Sequence, residues 1–140
     1  MRIYSEYITI QTERQREFMN ITANVKSAME KSGLRDGIIL VASLHANAGV
    51  FIGGDDANLL QDIGEWLDQM APARDTYHYG KQGPKTESNA AALLQGLLLN
   101  QQATLSFTDG KLEMGPWQQV IYAELDGMRP KRIHIKVLGE

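Results

Sequence analysis

The chain has 140 residues, a formal net charge of −3, and 43% hydrophobic residues. Its length fits one domain, which we place at residues 1–140, with a core that needs no disulfides. The absence of cysteine excludes disulfides, thiolate zinc sites and cysteine nucleophiles. The acidic balance gives no long-range attraction to nucleic acid, and no apolar run is long enough to span a membrane. The first residues lack the long apolar region that is typical of a secretory signal. We therefore expect a cytoplasmic protein that binds neither nucleic acid nor membrane.

The first half of the chain has the pattern of four strands and two helices. Alternating or continuous apolar runs predict strands over residues 2–11, 16–19, 37–43 and 48–52. Thr22 suits the N-cap of the first helix, which Gly33 ends. Asp55 or Asp56 suits the N-cap of the second helix, which Pro72 ends. Both helices have apolar positions at helical spacing, so each is expected to pack against the strands.

The second half predicts a loop, one helix and a group of strands. Residues 73–88 have the composition of a surface loop, and Ser88 or Asn89 suits the N-cap of a nearly all-apolar helix over 90–99. Strands are predicted over residues 103–107, 117–125 and 131–138. We expect Trp117 to be buried in the core, and a place at the boundary between protomers is the alternative. Asp-Gly turns follow the first two of these strands, and tight turns cannot join parallel neighbours. The fold class is therefore α+β with a mainly antiparallel sheet.

The three histidines are candidates for chemistry. His45 follows a predicted buried strand, His78 lies in the predicted loop, and His134 lies on the polar face of the last strand. An imidazole titrates near neutral pH and offers a nitrogen lone pair, so it can bind a divalent metal or move protons. No two of them have the spacing of a helical metal site, so a shared site depends on the fold. For each histidine, an ordinary structural role is the alternative.

Charged residues provide further candidates. Asp62 lies beside the apolar stripe of the second helix, where a carboxylate needs a partner. Near the C-terminus, Arg129 precedes a strand on which Arg132, His134 and Lys136 would share one face. Such a basic stripe can receive a phosphate or carboxylate, and a solvated outer face is the alternative.

Several segments carry a family resemblance. They are GKLEMGPWQQ (110–119), YAELDG (122–127) and VLGE (137–140), together with His45, Ala48, Asp55, Asp62, His78 and Asn89 upstream. By these residues the chain resembles the YjbQ family, UPF0047, whose members are often labelled secondary thiamine-phosphate synthase. The likeness covers nearly the whole chain.

The resemblance implies an α+β domain with three helices, whose sheet curves into a half-barrel and which assembles as a homotrimer. It implies a group of histidines and acids near the subunit boundary, where an anion or a divalent metal sits. The implied activity joins a pyrimidine pyrophosphate to a thiazole phosphate. The residues it implies are His45 and Asp62 for catalysis, His45 and His78 for a metal, and Asn89, Arg129 and Arg132 for a phosphorylated ligand.

The sequence departs from the family pattern at the implied site. Leu93 stands where the family usually has a histidine, Ala91 replaces an acid, and Gln61 replaces a histidine. Leucine can neither ligate a metal nor transfer a proton, so a site of three histidines cannot form as such. Three interpretations stay open: an enzyme resembling thiamine-phosphate synthases, a trimeric binding or structural protein with a decayed site, and a weak metal-binding protein.

Overall fold

A computed structural model describes residues 1–79 and 89–140, in which eight strands and three helices are found. In chain order they are β1 (Arg2–Ile10), β2 (Glu17–Asn20), α1 (Thr22–Ser32), β3 (Gly37–Ser43), β4 (Ala48–Gly53), α2 (Ala57–Met70), α3 (Ala90–Leu99), β5 (Gln102–Thr108), β6 (Lys111–Leu112), β7 (Gln119–Glu124) and β8 (Lys131–Gly139). None of the helices in these two ranges is both long and apolar enough to span a bilayer.

The strands form two sheets in which every pairing is antiparallel. One sheet has the order β1-β8-β3-β5-β6 and the other has the order β2-β7-β4. The sheets curl into a half-barrel. Three helices together with these antiparallel sheets confirm the predicted α+β class. A core lies between the two sheets and α1, and its fully buried members include Val25, Ala28, Ile39, Val50 and Ile135.

Helices α2 and α3 pack on the other face of the three-stranded sheet. A second buried cluster joins Leu67 of α2 and Ala92 and Leu99 of α3 to Ala123 and Leu125 at the end of β7. Strand β7 is therefore covered on both faces, which agrees with its burial over Val120–Glu124. This sandwiching explains why α3 is apolar nearly all round.

The helix N-termini confirm some of the predicted caps. The Asp56 carboxylate accepts the N–H groups of Asn58 and Leu59 at 2.9 and 3.2 Å, and the Asn89 amide oxygen caps α3. Thr22 was the wrong residue for the cap of α1. It is the first helical residue, and its Oγ1 accepts the N–H of Val120 at 2.9 Å, which ties α1 to β7 instead. Residues 80–88 of the predicted loop, Ser88 included, lie outside the described residues.

The prediction that Trp117 is buried in the core is wrong. Strand β7 begins at Gln119, and a turn closed by the Gln118 N–H and the Gly115 carbonyl precedes it. Pro116 within this turn has no N–H to offer a neighbouring strand. Trp117 is consequently outside the sheet, with 85% of its surface exposed.

The loop between β3 and β4, residues 44–47, is held close to α3. A Cβ built on Gly96 would lie 2.5 Å from the Ala46 carbonyl oxygen, so only glycine allows this approach. The Gln101 side chain beyond α3 donates to the Ala48 carbonyl at 3.0 Å. The position of the β3–β4 loop thus depends on the backbone of α3.

We expect Gly96→Ala to destabilise the protein. Overpacking typically costs about 1–3 kcal/mol, and here it outweighs the gain in helix propensity because the Ala46 oxygen belongs to the backbone and cannot rotate away. Urea denaturation measures the change. Gly115→Ala is the matched control, because its Cβ would make an ordinary 3.5 Å contact with Gln118. Equal stability of the two variants would contradict the close approach of α3.

Candidate functional site

His45 lies in the β3–β4 loop and is fixed to the start of β8. Its Nε2 accepts the backbone N–H of Arg132 at 3.1 Å. The backbone N–H of His45 donates to Ser43 Oγ at 3.3 Å, and the Ser43 hydroxyl donates to the His45 carbonyl at 3.2 Å. His45 is therefore held by hydrogen bonds at both its backbone and its ring.

The surroundings favour a neutral His45. Desolvation by burial lowers the pKa of His45 below its ordinary value, and the positive charge of Lys131 lowers it further. The Glu124 carboxylate acts in the opposite direction, and Arg129 and Arg132 add to the lowering. Because Nε2 accepts a hydrogen bond, the single proton of the neutral ring is on Nδ1, which is then a donor.

A buried ion pair lies beside this loop. Lys131 Nζ donates to Glu124 Oε2, and their side chains are 2% and 0% exposed. Lys131 also donates to the Asn47 amide oxygen at 2.8 Å, and the Tyr122 hydroxyl donates to Glu124 Oε1 at 2.9 Å. Desolvation, and then the Glu124 charge, raise the pKa of Tyr122, so its hydroxyl stays protonated.

The turn between β7 and β8 surrounds this pair with further charges. Asp126 accepts from the Arg129 guanidinium at 2.8 Å, from the Asn47 amide at 3.4 Å and from the side chain of Gln15. Its backbone N–H donates to Glu124 Oε2 at 3.2 Å. We call the set formed by Asn47, Tyr122, Glu124, Asp126, Arg129 and Lys131 the polar cluster.

Arg132 connects the polar cluster to the outer face of the five-stranded sheet. Its backbone binds His45, while its guanidinium carbon lies 4.1 Å from the centre of the Tyr7 ring. The Tyr7 ring in turn stacks on His134 with centroids 4.6 Å apart. Burial lowers the pKa of His134, and the positive charges of Lys136 and Arg132 lower it further. The His134 imidazole in this stack is therefore neutral as well. The guanidinium is thus available at the surface next to the His45 loop.

The structure brings together only part of the predicted site. His45, Arg129 and Arg132 lie at the polar cluster. Asp62 is exposed on α2 and is not among the charges that act on His45, and His78 is exposed beyond α2. Asn89 uses its side-chain oxygen to accept the Ala92 N–H at 3.2 Å.

The implied metal does not fit the arrangement of this chain. Within residues 1–79 and 89–140, no three His, Asp or Glu side chains lie close enough together to hold a metal ion. The Nε2 lone pair of His45 is already used by the Arg132 N–H. The residues present are suited to donating hydrogen bonds and not to ligating a cation.

Sequence reasoning missed the buried part of the polar cluster. The alternation of β8 places Lys131 on the same face as Ile133 and Ile135, and this face is the buried one. That parity was the available signal for a buried lysine, which needs a buried acid. Glu124 has the parity of Tyr122 on β7, and the two side chains meet in the core.

We expect Lys131→Met to cost about 3–5 kcal/mol of stability, because Glu124 would be left as a buried charge without its partner. The double variant Lys131→Met, Glu124→Leu should recover a large part of that loss. Urea denaturation measures both. Lys136→Met on the same strand, but on its outer face, is the control and should change little. If Lys131→Met were as stable as this control, the ion pair between Lys131 and Glu124 would not contribute to the stability of the fold.

The chain matches known proteins over almost its full length. The family model described as "UPF0047 protein YjbQ-like" matches residues 6–140. A UPF0047 protein of Methanothermobacter thermautotrophicus is 33% identical over 140 residues, covering 100% of this chain and 95% of the relative. The UPF0047 protein YugU of Bacillus subtilis is 25% identical over 133 residues, covering 94% and 97%.

Solved structures agree with these matches. The crystal structure of a YbjQ-like protein of unknown function from Sulfolobus solfataricus is similar with a TM-score of 0.92 and 29% identity, covering 99% of each chain. A YjbQ/UPF0047 protein of Clostridium acetobutylicum gives a TM-score of 0.86 and 28% identity, covering 95% of this chain and 99% of that one. With the family model matched from Glu6 to the last residue, the chain belongs to the YjbQ-like UPF0047 family.

Proposed function

We propose that this protein binds a small phosphorylated molecule at the His45 loop, next to the polar cluster, and that it works as a homotrimer. The observation that carries the first part is the hydrogen bond from the Arg132 N–H to His45 Nε2, which leaves Nδ1–H as a donor. A neutral donor beside cationic groups is suited to a phosphate oxygen.

The charge balance around His45 supports an anionic ligand. Three cations, Lys131, Arg129 and Arg132, lie around the imidazole with two acids, Glu124 and Asp126. The formal sum is one positive charge. Lys131 and Glu124 are buried and satisfy each other, so the arginines are the cations closest to solvent. A phosphorylated metabolite is also a ligand that the expected cytoplasmic location would supply.

We infer binding and not group transfer. Loss of a pyrophosphate leaving group needs concentrated positive charge, which a metal or an arginine clamp commonly supplies. Here the metal does not fit, and Leu93 stands half-buried in the apolar helix α3 where the family usually has a histidine. This reading favours the interpretation of a decayed site over a thiamine-phosphate synthase.

We expect His45→Ala and Arg132→Ala each to weaken the binding of inorganic pyrophosphate by about tenfold or more, since each removes one hydrogen bond to a charged group. Isothermal titration calorimetry measures the affinity. Lys136→Ala, which removes a cation from the same face of β8, should have a much smaller effect.

Two results would count against this proposal. One is pyrophosphate binding that His45→Ala leaves unchanged. The other is formation of thiamine phosphate by the wild-type protein from a pyrimidine pyrophosphate and a thiazole phosphate, because transfer would then be the function.

Exposed apolar side chains support the homotrimer. Leu94, Leu97 and Leu98 form a stripe on the outer side of α3, with Leu97 72% exposed, and Leu44 beside His45 is also exposed. The outer face of the five-stranded sheet exposes Ile38 together with other apolar residues. Large exposed apolar patches commonly lie at interfaces between protein chains.

Two different apolar faces on one chain allow a head-to-tail interface. If the α3 stripe of one copy covers the sheet face of the next, a rotation that closes the ring gives a cyclic assembly such as a trimer. The charges are complementary, since Arg132 and Lys136 lie on the sheet face while Asp62 lies on the exposed side of α2. The exposed Leu44 supports a boundary beside His45.

We expect Leu97→Glu and Ile38→Glu each to convert a trimer into a monomer, because each places a charge in an apolar contact. Light scattering coupled to size exclusion measures the mass, and circular dichroism checks that the fold is kept. Asn58→Glu, which adds the same charge at another exposed helical position, should leave the trimer intact. A wild-type monomer at micromolar concentration would exclude the assembly.

A further inference from the structure

A cleft of about 340 Å³ lies far from His45, between α1 and the segment that runs from β6 to the start of β7. Its walls include Lys26 and Met29 of α1, and Lys111, Met114 and Gln118 opposite them. Gln119, which also lines it, begins β7, whereas Glu124 of the polar cluster ends that strand. Gln119 and Glu124 are five residue steps apart along the strand, which corresponds to roughly 17 Å. The volume is within the usual range for sites of small molecules.

The amide side chains of this cleft are left with donors. The Gln118 amide oxygen accepts the Gly115 N–H at 2.8 Å, and the Gln119 amide oxygen accepts from the Asn20 side chain at 3.1 Å. Because both oxygens are engaged, the NH₂ groups are the parts of these side chains left to interact with a ligand. Thr22 Oγ1 likewise accepts the Val120 N–H, and its hydroxyl proton remains to be donated.

The charges of the cleft have the same preference. Lys26 and Lys111 are exposed, and neither forms an ion pair within residues 1–79 and 89–140. Glu30 is the one acid that lines the cleft in the described part of the chain, so the formal charge of its walls is +1. Lys31, on the same helix but outside the cleft, lies 3.8 Å from Glu6. Among the residues that the structure describes, the two cleft lysines differ from Lys31 in having no carboxylate partner.

The remaining walls of the cleft are apolar. Met29 is buried, and Leu112 and Met114 are half-buried and pack against the main core. Methionine side chains adapt their shape to an apolar ligand. The cleft therefore combines an adaptable apolar surface with donors and positive charge.

We propose that this cleft is a second binding site, which takes a phosphomonoester with a small apolar or aromatic body. The phosphate lies between Lys26 and Lys111, within reach of the glutamine NH₂ groups, and the body lies on Met29 and Met114. This site is separate from the one at His45 and does not depend on it.

Phenyl phosphate is the probe, and tryptophan fluorescence is the readout. The chain has two tryptophans, and Trp117 is exposed between Gly115 and Gln118, which both line the cleft. In a Trp66→Phe background, Trp117 is the sole reporter. We expect a saturable change in its fluorescence on titration, with inorganic phosphate and phenol each binding more weakly because each lacks one half of the ligand.

Variants locate the site. Lys26→Gln and Lys111→Gln should each weaken phenyl phosphate binding by about tenfold, and Lys31→Gln should not. His45→Ala should leave the affinity for phenyl phosphate unchanged. A failure of the cleft proposal can therefore be told apart from a failure of the proposal that pyrophosphate binds at His45. The proposal is overturned by no saturation at millimolar concentration, by an equal effect of Lys31→Gln, by inorganic phosphate binding as tightly as phenyl phosphate, or by loss of binding in His45→Ala.

Discussion

The buried ion pair between Lys131 and Glu124 is the constraint on which the candidate site depends. Two charges removed from water are very costly unless they are paired and hydrogen-bonded. Glu124 ends β7 and Lys131 begins β8, so their pairing joins the ends of two strands that belong to different sheets. Because Lys131 also binds Asn47, the β3–β4 loop is fixed to the same point. Three segments distant in the sequence are thereby joined by one set of polar contacts.

This arrangement determines what His45 can do. Burial, and then the positive charge of Lys131, lower the pKa of His45 and favour the neutral imidazole, and the Arg132 N–H occupies its Nε2. A histidine in this state is a hydrogen-bond donor through Nδ1 and lacks the free lone pair that a base or a metal ligand needs. The chemistry follows from the backbone of β8 as much as from the imidazole itself. A sequence motif that contains only the histidine cannot distinguish these roles.

Much of the fold could be predicted from the sequence, because its signals are local. The alternation of β8 gives the correct faces for Ile133 and Arg132, and the Asp109-Gly110 turn joins β5 to β6 as predicted. The turn predicted at Asp126-Gly127 does not join neighbouring strands, because β7 and β8 belong to different sheets. The site was less predictable, since the partners of His45 come from other elements. Asp62 has the right residue type but lies exposed on α2. Trp117 was mispredicted because a short turn keeps it out of β7, and the Gly115-Pro116 pair, which is typical of turns, was the available signal.

The chain has the family fold, and Leu93 stands where the resemblance implies a histidine. The packing explains how this is tolerated: α3 positions the β3–β4 loop through the backbone contact at Gly96, which does not depend on the side chain at position 93. Leu93 can therefore replace a histidine and join an apolar helix without moving His45. The proposed anion site and a leucine at position 93 are then compatible in one structure. The proposed binding needs only donors and charge, whereas group transfer would also need a chemical group that leucine cannot supply.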